Sequence, residues 1–278
     1  MRPVHFPTTP AELLALLAAH SEARLMAGGT DLLVRLRQSI EDERPLLCLE
    51  RIPELRGIAQ TGGGLRIAAA TSLAQLATHP LVVQHCPLLA RAAATIGGPA
   101  IRTMGTLGGN ICTASPAGDT LPALYVLGAR IELLSATSVR QLPIAEFITG
   151  PGRTRLQRGE LLTAVQVPAS GAFAIQHFEK VGRRQSLAVA VASLAALIRL
   201  EPDGRVAEAR LAWGSVGPTV VRSPEAEAAL LGQPLTRDTL EAAALCARRA
   251  VSPIDDLRAG ARYRRQLAGN LLLRLLKS

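Results

Sequence analysis

The sequence predicts an α+β fold in two units, and three observations carry that expectation. Up to about residue 168, short apolar segments of strand length alternate with segments of helical spacing that have capped starts. Around Ala169-Ser170-Gly171 the texture changes, which predicts a domain boundary. Beyond it, three strand-like runs separated by turn residues precede three helical runs, the pattern of a small antiparallel sheet carrying helices. A chain of 278 residues has room for one large or two ordinary domains and a sizeable core.

Thr9-Pro10-Ala11-Glu12 is a capping box with proline at the first helical position; Leu13, Leu14, Leu16 and Leu17 follow, and the helix should end near His20. A strand over Arg24 to Ala27 runs into Gly28-Gly29-Thr30-Asp31, after which Leu32, Leu33 and Leu36 recur at helical spacing. A strand is predicted at Leu46 to Leu49, a turn at Thr61-Gly62-Gly63-Gly64, a strand at Leu65 to Ala69 and a helix capped by Thr71. After a helix over Pro87 to Thr95 comes the densest glycine stretch, Ile96-Gly97-Gly98 through Gly108-Gly109-Asn110. It reads as irregular, because glycine weakens the interior of a helix or a strand. Asp119 should cap a short helix through Val126, Ala129 to Ser135 should form a strand, and Pro151 to Gly159 a mobile loop. In the second unit, strands are expected at Phe173 to Val181, Leu187 to Leu200 and Val206 to Trp213, with a turn at Glu201-Pro202-Asp203-Gly204. Helices at Pro224 to Leu231, Thr236 to Ala250 and Ala261 to Leu276 complete it.

Hydrophobic residues make up 48% of the chain and charged residues 19%, which excludes intrinsic disorder. No apolar run reaches transmembrane length, and Met1-Arg2-Pro3-Val4-His5 lacks a signal peptide's apolar region, so the expectation is a cytoplasmic protein with no membrane span. Cys48, Cys86, Cys112 and Cys246 have no ligand spacing, and no metal site or disulfide is expected. The net charge of +9 suggests nucleic acid. Two facts turn that reading aside: only Lys180 and Lys277 among 31 basic residues are lysine, with the arginines dispersed, and aromatic residues are 3%, too few to stack on bases. An acidic partner or a phosphate-bearing ligand accounts for the charge as well.

Gly28-Gly29-Thr30 and Gly108-Gly109-Asn110 share a chemical logic: small residues let consecutive backbone N–H groups converge on an anion, and neighbouring hydroxyl or amide groups add bonds. A single Gly-Gly is more often only a tight turn. The two together, with Thr30, Thr106, Asn110 and Ser115 nearby, point to a nucleotide cofactor gripped from two sides, although neither GxxxxGK[ST] nor GxGxxG occurs.

At these residues the chain resembles the FAD-binding medium subunit of molybdenum hydroxylases of the xanthine dehydrogenase and aerobic carbon monoxide dehydrogenase type. The resemblance rests on Ala27-Gly28-Gly29-Thr30-Asp31-Leu32, Ile96-Gly97-Gly98-Pro99-Ala100-Ile101-Arg102, Gly105-Thr106-Leu107-Gly108-Gly109-Asn110 and Ala114-Ser115-Pro116-Ala117-Gly118-Asp119. Weaker echoes at Glu160-Leu161-Leu162, Phe178-Glu179-Lys180 and Tyr263-Arg264-Arg265 continue in the family's order. It implies a vanillyl-alcohol-oxidase-like (PCMH-type) FAD-binding domain of two α+β subdomains over residues 1–170. A C-terminal domain with a three-stranded antiparallel sheet would span 171–278. It further implies that Gly28, Gly29, Thr30, Thr106, Gly108 and Gly109 hold the FAD diphosphate, and that Asn110, Ser115 and Asp119 bond the diphosphate and ribose region. Ile96, Leu162 and Lys180 would lie near the flavin or adenine ends; Ala27, Asp31, Leu32 and Gly97 complete the set.

By the same resemblance an iron–sulfur small subunit with [2Fe–2S] clusters and a molybdopterin large subunit would be partners in a heterotrimer or its dimer. Electrons would pass through FAD here to NAD+, oxygen or another acceptor. The cysteine-rich insert of some family members is missing.

By local chemistry alone, Asp31 is a helix-start charge, Asp119 an N-cap, Lys180 a strand-end charge and Cys112 a packing residue. No residue has the setting of a catalytic acid, base or nucleophile, which suits an electron carrier whose cofactor supplies the chemistry. The alternative is a self-sufficient FAD oxidoreductase of the same fold acting on its own substrate, which would need an acid or base over the flavin.

Overall fold

The computed structural model describes residues 2–38, 42–169, 171–184 and 187–277. Ser170, at the centre of the expected boundary, lies outside them. Among the described residues, three sheets of three or more strands and one two-stranded ribbon organise the fold. The first is parallel, with Leu46–Cys48 between Val4–His5 and Arg24–Met26. The helix Pro10–Ala19 covers it through Leu13 and Leu17, which join Leu47, Ile52 and Leu55 in a small core. Thr9 caps that helix by accepting from the Glu12 N–H at 3.2 Å, while the Glu12 carboxylate reaches one residue further back than expected, to the Thr8 N–H at 2.7 Å.

The second sheet is antiparallel, in the order Ile58–Thr61, Gly64–Ala68, Leu161–Pro168, Arg130–Leu134, Val139–Pro143. Its central strand is added only after a run of short helices between Leu73 and Val126, which packs against both this sheet and the third. Thr71 does not cap the helix Leu73–Thr78. Ser72 does, in a reciprocal box with Gln75, and the Thr71 hydroxyl bonds both backbone groups of Gly57 instead. Residues 151–159 are not wholly loop: Arg153–Thr154 pairs with Ile148–Gly150. The Glu160 carboxylate anchors the rest of the segment, accepting from the Gln157 N–H at 2.7 Å and pairing with Arg140 at 2.6 Å.

The third sheet is antiparallel, with Ile175–Val181, Ala192–Leu200 and Val206–Gly214 joined by an additional fourth strand of two residues, Val221–Arg222, where three strands are expected from sequence. Ala192–Leu200 is apolar on both faces because both are covered. Leu194, Ala196 and Ile198 meet the helices Pro224–Leu230, Arg237–Ala250 and Ala261–Leu272, whereas Ala195 and Leu197 share a core with the helices Pro87–Ala94 and Thr120–Val126. Trp213 is fully buried and its indole N–H donates to Ala268 O at 2.9 Å. Arg264 is buried too, bound to Asp256 at 2.5 Å and to the carbonyls of Val191 and Ser215. It is an internal brace.

Candidate functional site

The strand Arg24–Met26 delivers Ala27-Gly28-Gly29-Thr30-Asp31-Leu32 to a cleft of about 410 Å3. A Cβ on Gly28 would lie 1.7 Å from Met104 O, so two backbones touch there; Gly29 has φ +69. Both positions require glycine. The N–H groups of Gly28, Gly29, Thr30 and Asp31 donate to no other described residue. Four successive backbone donors without a bond to another described residue, on residues that line the cleft beside the Thr30 hydroxyl, are the makings of an anion cradle.

The second glycine pair works differently. Residues 99–113, expected to be irregular, form two short helices, Pro99–Met104 and Leu107–Thr113, and Gly108-Gly109 lies inside the second. Its first N–H groups are satisfied within the protein: Leu107 donates to Thr71 O at 3.0 Å, Gly108 to Ala69 O at 2.8 Å and Gly109 to Thr106 Oγ1 at 3.1 Å. They do not converge on an anion, which corrects that part of the sequence reading. Gly108 instead lets the helix press onto residue 69, where a Cβ would meet that of Ala69 at 2.8 Å.

Gly109 borders two compartments. The cleft beside Gly28 is also lined by Ile96, Thr106, Asn110 and Ser115; a second, largely apolar cavity of about 310 Å3 is lined by Gly108, Leu161 and Leu162. Leu25, Ala27, Gly109 and Cys112 line both, so the two form one trough with Gly109 at the waist. Each compartment lies within the roughly 300–1,000 Å3 of small-ligand sites. Asn110 Oδ1 accepts from Thr120 Oγ1 at 2.6 Å, which turns the amide's donor end away from Thr120.

Gly97, Asp119 and Lys180 line neither compartment. Gly97 forms a left-handed turn with φ +48, and Arg102, given no role from sequence, donates to the carbonyls of Ile96 and Gly97 at 3.1 and 2.8 Å and so fixes Ile96 in the wall. Asp119 stands at the start of Thr120–Val126 but makes no capping bond. It pairs with Lys180 at 2.6 Å, and Lys180 also donates to Thr95 O at 3.0 Å, one residue from Ile96. Burial outweighs the attraction of Lys180 and raises the Asp119 carboxyl to about 6. Val189, from the second unit, also lines the cleft, a contribution with no local sequence signal.

The acids and thiol of the trough are not poised for proton transfer. Asp31 is held by Arg35 at 2.9 Å and Thr113 at 3.1 Å, and Arg140 holds Glu160 below the ordinary carboxylate range. Burial pushes the Cys112 thiol up to about 12. Among the described residues no group of three His, Cys, Asp or Glu could hold a metal ion. Metal analysis of the purified chain is expected to find no stoichiometric iron or zinc; either one, removed by substituting Cys48, Cys86, Cys112 or Cys246, would overturn this.

Residues 1–170 match the FAD binding domain in molybdopterin dehydrogenase, and residues 176–278 match the CO dehydrogenase flavoprotein C-terminal domain. The chain belongs to this flavoprotein family. Its oxidoreductase relatives include the xanthine dehydrogenase FAD-binding subunit of Escherichia coli O157:H7, 35% identical over 95% of this chain and 90% of that one. The carbon monoxide dehydrogenase medium chain of Hydrogenophaga pseudoflava is 34% identical over 99% and 95%. The solved structure of carbon monoxide dehydrogenase from Hydrogenophaga pseudoflava, lacking the Mo-pyranopterin moiety of its cofactor, superposes with TM-score 0.93 at 34% identity, covering 99% of this chain and 96% of that one. Quinoline 2-oxidoreductase from Pseudomonas putida 86 gives 0.94 at 28% identity, covering 100% and 96%. The matched domain is a FAD-binding one, and a flavin brings its own redox chemistry. Among the described residues no helix is long and apolar enough to cross a membrane.

Proposed function

We propose that this chain is the electron-transfer flavoprotein of a molybdenum hydroxylase complex, taking electrons from [2Fe–2S] clusters in one partner and passing them through FAD to NAD+, oxygen or another acceptor. A molybdopterin subunit would contact the substrate, in a heterotrimer or its dimer. The observation that carries this reading is the trough: an anion cradle at Gly28 to Asp31, two compartments meeting at Gly109, and no acid or base set for work on a substrate. FAD, when bound, supplies the redox chemistry.

The backbone of Gly28, Gly29 and Thr30 would hold its diphosphate, with Thr106, Gly108 and Gly109 shaping the waist and Asn110 and Ser115 bonding nearby. Ala27, Leu32 and Ile96 would wall one end and Leu162 the apolar other. Asp119 and Lys180 would support that wall from behind, through Thr95. Residues 1–170 would form the cofactor domain and 171–278 the C-terminal domain that closes over it. Four free cysteines fit a reducing compartment, and a cytoplasmic location is part of the proposal.

The test is anaerobic, substrate-dependent flavin reduction, with and without co-expressed iron–sulfur and molybdopterin subunits. Reduction is expected only in the complex. Rapid reduction of the isolated chain by an organic substrate would favour a self-sufficient flavoenzyme.

A further inference from the structure

Ile175–Val181 is an edge strand of the third sheet, and a cavity of about 580 Å3 opens along it. Its walls come from three regions far apart in the chain: Arg91 on the helix Pro87–Ala94, His177 and Glu179 on the strand, and Arg274 and Lys277 on the closing turn Leu273–Lys277. It shares no lining residue with the flavin trough. The Arg91 guanidinium donates to Gln176 O on the strand, which obstructs the addition of another strand there. Glu179 is the one carboxylate in the lining, and it is shared by His177 at 3.4 Å and Arg274 at 3.5 Å. Burial lowers the pKa of His177, and the described lining holds three permanent cations, Arg91, Arg274 and Lys277, with one carboxylate. Bringing them together raises the local potential, which a bound dianion would offset.

We propose that this cavity binds a small phosphate-bearing anion, either a free pyrophosphate or the phosphate chain of a nucleotide. Guanidinium forks match the oxygens of phosphate, and cations outnumber the one carboxylate among the described lining residues. Phe173, Ala174 and Ile175 supply an apolar floor against which a base could lie, and the volume exceeds what a bare ion fills. The site joins the first half of the chain to its end, and it stands independently of the flavin reading.

The experiment is calorimetric titration of the flavin-loaded chain with pyrophosphate, ADP and adenosine in turn. Pyrophosphate and ADP are expected to bind and adenosine to fail. Equal affinities would identify the phosphate group alone as the ligand, and much tighter ADP a nucleotide. Arg274→Gln combined with Lys277→Gln, both exposed positions, should weaken both anions by roughly tenfold or more with the Tm and flavin spectrum unchanged. Arg237→Gln, which removes an exposed cation elsewhere, should leave the affinities alone. Absence of binding by both anions, adenosine binding as tightly as ADP, or a double variant indistinguishable from wild type would overturn the proposal. If the chain proves to carry no flavin, ADP could enter the trough; pyrophosphate and the double variant then decide.

Discussion

Alanine at position 109 is expected to keep the fold and to weaken flavin binding by roughly 5- to 150-fold, the equivalent of about 1–3 kcal/mol of overpacking. Gly109 lies within a helix, where alanine is favourable, and a Cβ there would meet only Thr106 Oγ1, at 2.9 Å. A small shift of that hydroxyl relieves the contact. The methyl group then projects at the waist shared by the two compartments, where a cofactor spanning both has to pass. Fluorescence titration of the flavin-free chain gives the affinity and thermal unfolding gives the stability. Wild-type values for both would remove the trough as the flavin site. Gly28→Ala is the instructive contrast: its Cβ would stand 1.7 Å from Met104 O, a backbone atom that cannot swing aside. Stability itself should fall in that variant, so flavin loss there would not distinguish a damaged fold from a filled site.

The difference between these two glycines marks where the sequence is legible. The helix start at Thr9 comes from chemistry within four residues, and the structure has the Thr9 hydroxyl capping it. The antiparallel sheet of the second unit is legible for the same reason, since a turn at residues 201–204 and two long apolar runs dictate a hairpin. The stretch 97–109 misleads because glycine density is ambiguous. Gly108 lowers intrinsic helix propensity, but its missing side chain lets the helix dock on Ala69, and the bond from its N–H to Ala69 O comes from a strand end 39 positions away in the sequence. Tertiary contact overrides local preference. Of the expected cofactor residues, the structure gathers Ala27 to Leu32, Ile96, Thr106, Gly108 to Asn110, Ser115 and Leu162 around one trough. Val189 lines the cleft only through the way the chain folds back, and no local pattern announces it; Arg102 acts locally, on carbonyls five and six residues before it.

Breaking the pair between Asp119 and Lys180 is the second large effect expected. The two are 61 residues apart and tie the cofactor segment to the first strand of the third sheet, with side chains only 6% and 9% exposed. Lys180→Met preserves most of the side chain's length and leaves Asp119 with no counter-charge. One Asp119 oxygen is buried without a bonding partner even in the intact pair. Removing one partner of a buried pair typically costs about 3–5 kcal/mol, so a large fall in Tm is expected at neutral pH. The pH dependence identifies the cause. The unfolded carboxyl titrates near its ordinary 3.8 and the folded one near about 6, so folding takes up a proton between those values. This group's contribution to stability is therefore greatest at acid pH and is lost as the pH rises through that window. Without Lys180 the folded value should rise further, because the attraction that opposed the effect of burial has gone. Lys180→Met should thus recover part of its lost stability, relative to wild type, as pH falls from 7 to 5, and Lys180→Met with Asp119→Asn should recover part of it at pH 7. Denaturant unfolding of the flavin-free proteins at both pH values measures this. A deficit that is the same at pH 5 and pH 7, and is undiminished in the double variant, would mean that Lys180 acts by packing and by its bond to Thr95 rather than by neutralising a buried charge.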